Sequence, residues 1–73
     1  MRYTIVIEKS PANYAAYAPD LPGCVATGAT REETIDEMRG AIDFHIGSLR
    51  QQGDPVPEPH CTATVVTAAT QDG

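Results

Sequence analysis

Hydrophobic and polar positions alternate from the start of the chain. In residues 2–9, RYTIVIEK, Tyr3, Ile5 and Ile7 fall on one face and Arg2, Thr4, Val6 and Glu8 on the other. A period of two with β-branched residues predicts a half-buried strand. SPAN (residues 10–13) carries the Pro and Asn of a turn, and YAAYA (14–18) predicts a second strand of small and aromatic residues. PDLPG (19–23) then makes a stiff corner. Pro19 and Pro22 fix their own φ angles and push Ala18 and Leu21 towards extended backbone. Gly23 is free to take φ values closed to other residues. CVATG (24–28) reads as a short third strand.

The period then changes to that of a helix. Thr30 and Glu33 form a T-x-x-E capping box, and Glu32, Glu33, Asp36 and Glu37 crowd the first two turns, where the helix dipole favours negative charge. Ile35, Met38, Ile42, Ile46 and Leu49 recur as one apolar stripe. Arg50 lies near the end and Gly53 is placed to terminate the helix, while DPVPEP (54–59), with three prolines, forbids its continuation. CTATVVTA (61–68) is β-branched and predicts a fourth strand, followed only by a short polar tail. The expected architecture is α+β in the order β-β-β-α-β. A right-handed crossover would return the last strand beside the first, giving a four-stranded sheet in order 4-1-2-3 with the helix on one face. Its other face would lack a second layer.

Length and charge narrow the reading. At 73 residues there is room for one domain, spanning 1–73, with a core small enough that self-association is the expected supplement. A dimer or tetramer is the expectation. Ten acidic against five basic residues give a formal charge of −5 with no basic cluster. That argues against direct binding to a nucleic-acid backbone and suits a basic protein surface. The alternating N-terminus is not a signal peptide, no run approaches the ~18 apolar residues of a membrane span, and Cys24 and Cys61 form no CxxC pair. These features point to a reduced, cytoplasmic protein without membrane contact.

The stretch YAAYAPDLPGCVATGATREETIDEMRGAI, followed by GDPVPEP, resembles the HicB-like antitoxin family. Pro19, Asp20, Leu21, Pro22, Gly23 and Cys24 match the family's central motif in order. Gly28, Thr30, Glu32 and Glu33 match its helix entry, and Pro55, Pro57 and Pro59 its exit; the match runs from about Tyr3 to Val66. The resemblance implies a degraded ribonuclease-H-like core that binds a small HicA-like toxin, an mRNA-cleaving protein, and occludes its active site without catalysis. Many such antitoxins continue into a DNA-binding domain; none is recognised in these residues, so operator binding is not expected. The alternatives are a solitary HicB-like domain that regulates or binds something other than a toxin, and a residual metal-dependent nuclease.

No catalytic residues, metal ligands or cofactors are expected. A ribonuclease-H-type centre needs several convergent carboxylates and two metal ions, and Glu8, Asp20, Asp36 and Asp43 show no pattern that brings them together. Cys24, Cys61, His45 and His60 have no recognised zinc spacing. Asp20, Leu21 and Pro22 are the candidate partner-binding residues, although Asp20 fits a turn-holding hydrogen-bond acceptor better than an exposed functional carboxylate. Phe44 lies about 180° from Ile35 around the helix, flanked by Gly40 and Gly47 within about 60°. Two interior glycines beside the only phenylalanine make this flank the candidate contact between subunits.

Overall fold

The computed structural model describes residues 1–69; the expected polar tail lies largely outside them. Three short strands, β1 (Val6–Lys9), β2 (Tyr14–Tyr17) and β3 (Val25–Gly28), precede one helix, α1 (Arg31–Gln51). The strands form an antiparallel sheet in order β1-β2-β3. Ile7 pairs with Ala16, and Ala16 with Ala26, so these three make one row of the face that meets the helix. Val6, Tyr17 and Val25 form the neighbouring row on the opposite face, where Val25 is 65% exposed.

The four-stranded sheet expected from the sequence is not formed. Residues 61–69 run without strand pairing, all but Cys61 are exposed, and Val65 and Val66 are 94% and 81% exposed. The 4-1-2-3 order is thereby corrected to a three-stranded sheet with α1 on one face, still α+β. The physical reason lies at the point where the returning chain meets the N-terminal strand. There the carbonyls of Pro57 and Cys61 accept hydrogen bonds from the Tyr3 and Thr4 side-chain hydroxyls, at 2.6 and 2.7 Å. Side chains, not backbone amides, occupy these carbonyls, and β-branched composition without a paired edge does not make a strand.

The helix ends as its sequence dictates. The Thr30 hydroxyl accepts from the Glu33 N–H at 3.1 Å, and the Glu33 carboxylate reaches back to the Ala29 N–H at 3.0 Å. At the other end Gly53, with φ +75°, donates to Arg50 O while Asp54 donates to Leu49 O, a Schellman closure. Of the apolar stripe Met38 is fully buried, and Ile35, Ile42, Ile46 and Leu49 are half-buried. Met38 joins Ala16, Ala18, Leu21 and Cys24 in the core, with Tyr3, Ile5, Ile7, Ala26, Ala41 and Ile42 around it. Close packing of α1 on β3 depends on Gly28, where a Cβ would stand 2.6 Å from Thr34 Oγ1 and 2.8 Å from its backbone nitrogen. The radius of gyration, 15.0 Å, exceeds the ~11 Å of a tightly packed chain of this length, consistent with the exposed C-terminal arm.

Candidate functional site

The proline corner is two consecutive turns. Leu21 N–H donates to Ala18 O and Cys24 N–H to Leu21 O, both at 3.0 Å, and Ala18 N–H closes the base on Cys24 O at 3.2 Å. Pro22 and Gly23 occupy the two central positions of the second turn. Gly23 has φ +84°, the conformation that a type II turn requires at its third residue. The geometry sends Leu21 into the core at 0% exposure and tucks Asp20 beneath the corner at 4%. Pro19, Pro22 and Gly23 remain on the surface. Of the three candidate partner-binding residues, therefore, only Pro22 is exposed, while Asp20 and Leu21 shape the corner from inside.

Asp20 does hold backbone amides, but not those of its own turn. Its Oδ2 accepts from the backbone N–H groups of His60 and Cys61, at 2.9 and 3.0 Å, bridging forty residues of sequence to fasten the segment after the prolines. Its Oδ1 lies 3.0 Å from His60 Nδ1. The Cys61 thiol, the two backbone N–H groups and His60 hold the Asp20 carboxyl down at about 2, from an ordinary 3.8, against the opposing effect of burial. The same carboxylate pushes the Cys61 thiol up, and burial does so for Cys24.

Asp20, His60 and Cys61 each present one donor atom, and the three lie within 4.8 Å of one another. The sequence offered His60 and Cys61 only as parts of a quartet with His45 and Cys24. His45 is instead half-buried on α1 and Cys24 sits in the core. Glu8, Asp36 and Asp43 are exposed, Asp36 paired with Arg39 at 3.0 Å, and none belongs to the Asp20 group. What the sequence did not disclose was that the aspartate of the corner meets the residues just after the last proline. The visible signal was a pair of proline-stiffened segments, each next to a donor residue.

On the helix's outer flank Phe44 is 79% exposed. Gly40 and Gly47 open to free space, with no atom beyond the adjoining helix backbone within 4 Å of where a Cβ would stand. Gly40 borders a shallow hollow formed by Val25, Ala26 and Thr27 of β3 with Asp36, Glu37 and Ala41 of α1. Among the described residues no helix is long and apolar enough to cross a membrane.

Comparison with known proteins gives a consistent result. Residues 3–72 match the family described as the HicB-like antitoxin of bacterial toxin–antitoxin systems. A UPF0150 protein of Thermoplasma acidophilum is 32% identical over 69 residues, which cover 93% of this chain and 100% of that one. A UPF0150 protein of Synechocystis is 40% identical over 57 residues, 77% of this chain and 72% of its own length. An uncharacterized 14.9 kDa protein from the rep-hol intergenic region of Haemophilus phage HP1 is 36% identical over 58 residues. That match covers 80% of this chain but only 44% of the phage protein, so the chain spans less than half of that relative. Among solved structures, a chain of a HicA3 and HicB3 toxin-antitoxin complex superposes with a TM-score of 0.71 at 32% identity, over 82% of this chain and 70% of that one.

Proposed function

We propose that this chain, which belongs to the HicB-like antitoxin family, is a protein-binding module that neutralises a small HicA-like, RNA-cleaving toxin by covering its active site. The observation that carries this reading is the likeness to a chain from a solved toxin–antitoxin complex. The charge has the matching sign. An enzyme that holds RNA phosphates needs a basic surface, and this chain has a net charge of −5, with Glu32, Asp36, Glu37 and Asp43 exposed along α1. Complementary charge speeds association, and buried apolar contact then holds the complex. Pro22 on the rigid corner and Val25 on the free edge of β3 supply exposed apolar surface close together in sequence. Asp20 and Leu21 act in this reading by fixing the corner that presents Pro22.

Self-association belongs to the same proposal, as a dimer or tetramer with Phe44, Gly40 and Gly47 at the contact. Among the described residues the single helix over one sheet face leaves the other face without a layer, and Phe44 is the large hydrophobic side chain that α1 exposes.

Co-expression with a toxin encoded beside this chain tests the function. Relief of growth arrest, co-purification, and an association rate that falls as salt rises are the expected results. Persistent arrest with no co-purification overturns the antitoxin reading. A second reading, a stand-alone HicB-like domain with another protein partner, is favoured by the Thermoplasma relative, whose whole length is matched by this one domain.

A further inference from the structure

The strongest unassigned feature is the junction of the proline corner with the C-terminal segment. Asp20 has a side chain with 0% exposure, and its Oδ2 is fully engaged by two backbone N–H groups. Its Oδ1 is buried and, among the described residues, has no partner of hydrogen-bond geometry. His60 Nδ1 stands 3.0 Å away, but the contact of that nitrogen with hydrogen-bond geometry is to Glu58 O, at 3.2 Å. A buried carboxylate oxygen without a well-aligned donor is costly, and such groups in native proteins are usually satisfied by a protein group, water or an ion.

The surroundings of that oxygen are of the kind that an ion would use. An imidazole nitrogen, a thiol sulfur and a carboxylate oxygen of Asp20 lie within 4.8 Å of one another. Tetrahedral zinc, with ligand bonds of about 2.0–2.3 Å, places its donor atoms roughly 3.3–3.8 Å apart. The His60 side chain is 77% exposed, so small movements of its ring would close the three donors on an ion. A set of one oxygen, one nitrogen and one sulfur selects zinc, or cobalt in its place, over the oxygen-seeking calcium and magnesium. We propose that Asp20, His60 and Cys61 form a three-donor site for a zinc-type divalent cation, which locks the C-terminal segment onto the proline corner.

The charges balance in the bound state. The Cys61 thiol gives its proton to solvent as the sulfur–metal bond forms, neutral His60 supplies a lone pair, and Asp20 is already ionised. Two negative ligands then neutralise a doubly charged cation. Three protein donors leave a fourth position for water or for a side chain of a partner. Two of the donors come from adjacent residues in a segment stiffened by Pro57 and Pro59, and the third from a corner stiffened by Pro19 and Pro22, so little order remains to be imposed on binding.

The test is titration of the full, reduced, metal-stripped chain with Co²⁺, followed by displacement with Zn²⁺. One equivalent is expected to bind with micromolar or tighter affinity and to produce a thiolate-to-cobalt absorption band. Cys61→Ser should abolish the band and His60→Ala should weaken binding at least tenfold, while Cys24→Ser keeps both. Both Cys61 and His60 reach the surface, so these variants are expected to fold; Asp20→Asn, which also loses its grip on two amides, is a supplementary variant. As a second measurement, Zn²⁺ should raise the melting temperature of the native chain and raise that of His60→Ala by less at the same concentration. Millimolar affinity, the absence of a thiolate band, or a band that survives Cys61→Ser would overturn the site and leave Asp20 as a hydrogen-bonding fastener alone.

Discussion

The sheet-and-helix body and the arm that follows the prolines are both rich in β-branched residues, yet only the body has regular structure. In β1, every residue from Val6 to Lys9 faces a partner on β2 across a tight turn that Ser10 and Asn13 close locally. In the arm, residues 62–69 have neither a paired strand nor a buried face, and Val65 and Val66 stand in solvent. The difference teaches that a strand is a property of a pair. The body meets its partners through short connections, whereas the arm is brought back by prolines and caught by side chains before a backbone ladder begins.

The largest test of this division is inside the body. Met38 is fully buried among Ala16, Ala18, Leu21 and Cys24. Met38→Ala should destabilise the body by about 2–5 kcal/mol, read as a lowered urea midpoint, because it leaves a cavity in a core with few other large side chains. The arm, held through the Asp20 corner and through the Tyr3 and Thr4 hydroxyls that pack beside this core, should loosen in the same transition. An arm that kept its fastening while the body melted would break the comparison. Next in size is Gly28→Ala. Its Cβ would meet a backbone nitrogen at 2.8 Å, which cannot turn aside, so α1 must lift from β3 at a cost of about 1–3 kcal/mol by thermal or urea denaturation.

The third test separates the two regions. The Asp20 carboxyl in the folded chain sits at about 2, below its ordinary 3.8. Because the folded value is the lower one, its contribution is present in full above 3.8 and is lost as the pH falls from there through about 2. The amides of His60 and Cys61 should therefore lose hydrogen-exchange protection across that acid window, and in Asp20→Asn at neutral pH, while the amides of β2 keep theirs. Equal loss in β2 and the arm would show that the corner, and not the arm alone, depends on this charge.

These comparisons also show what could be read in advance. The helix was legible to within a residue because its signals are local: Thr30 and Glu33 at one end, Gly53 and the prolines at the other, and a stripe between them. The corner was legible for the same reason, since Pro22 and Gly23 dictate a turn with no help from the rest of the chain. The fourth strand expected from the sequence does not form because residues 61–68 have only the composition of a strand, while pairing depends on where a distant edge lies. The Asp20–His60–Cys61 junction was missed for a related reason: its donors are forty residues apart, and no spacing rule links them. Nor does any local pattern mark Thr34 as a buried residue. Its polar side chain is fully buried because its hydroxyl returns a hydrogen bond to Thr30 O at 2.8 Å, under the space that Gly28 leaves.

The smallest expected effect bears on the helix's outer flank. Gly40 and Gly47 have helical backbone and nothing within 4 Å of a would-be Cβ, so no contact within the chain requires glycine there. Glycine in a helix interior costs about 1 kcal/mol relative to alanine. Gly47→Ala should accordingly stabilise the dilute chain by roughly 0.5–1 kcal/mol in thermal denaturation, and should leave the arm's hydrogen exchange unchanged. If the proposed subunit contact uses this flank, the same substitution should weaken self-association, because an added methyl group holds a second copy away from a surface kept bare beside Phe44. Sedimentation equilibrium at micromolar concentration separates the cases, with Phe44→Asp as the stronger perturbation. A stabilised chain whose association is unmoved by either change would take Phe44 and both glycines out of the contact, leaving the glycines without a structural reason on this face.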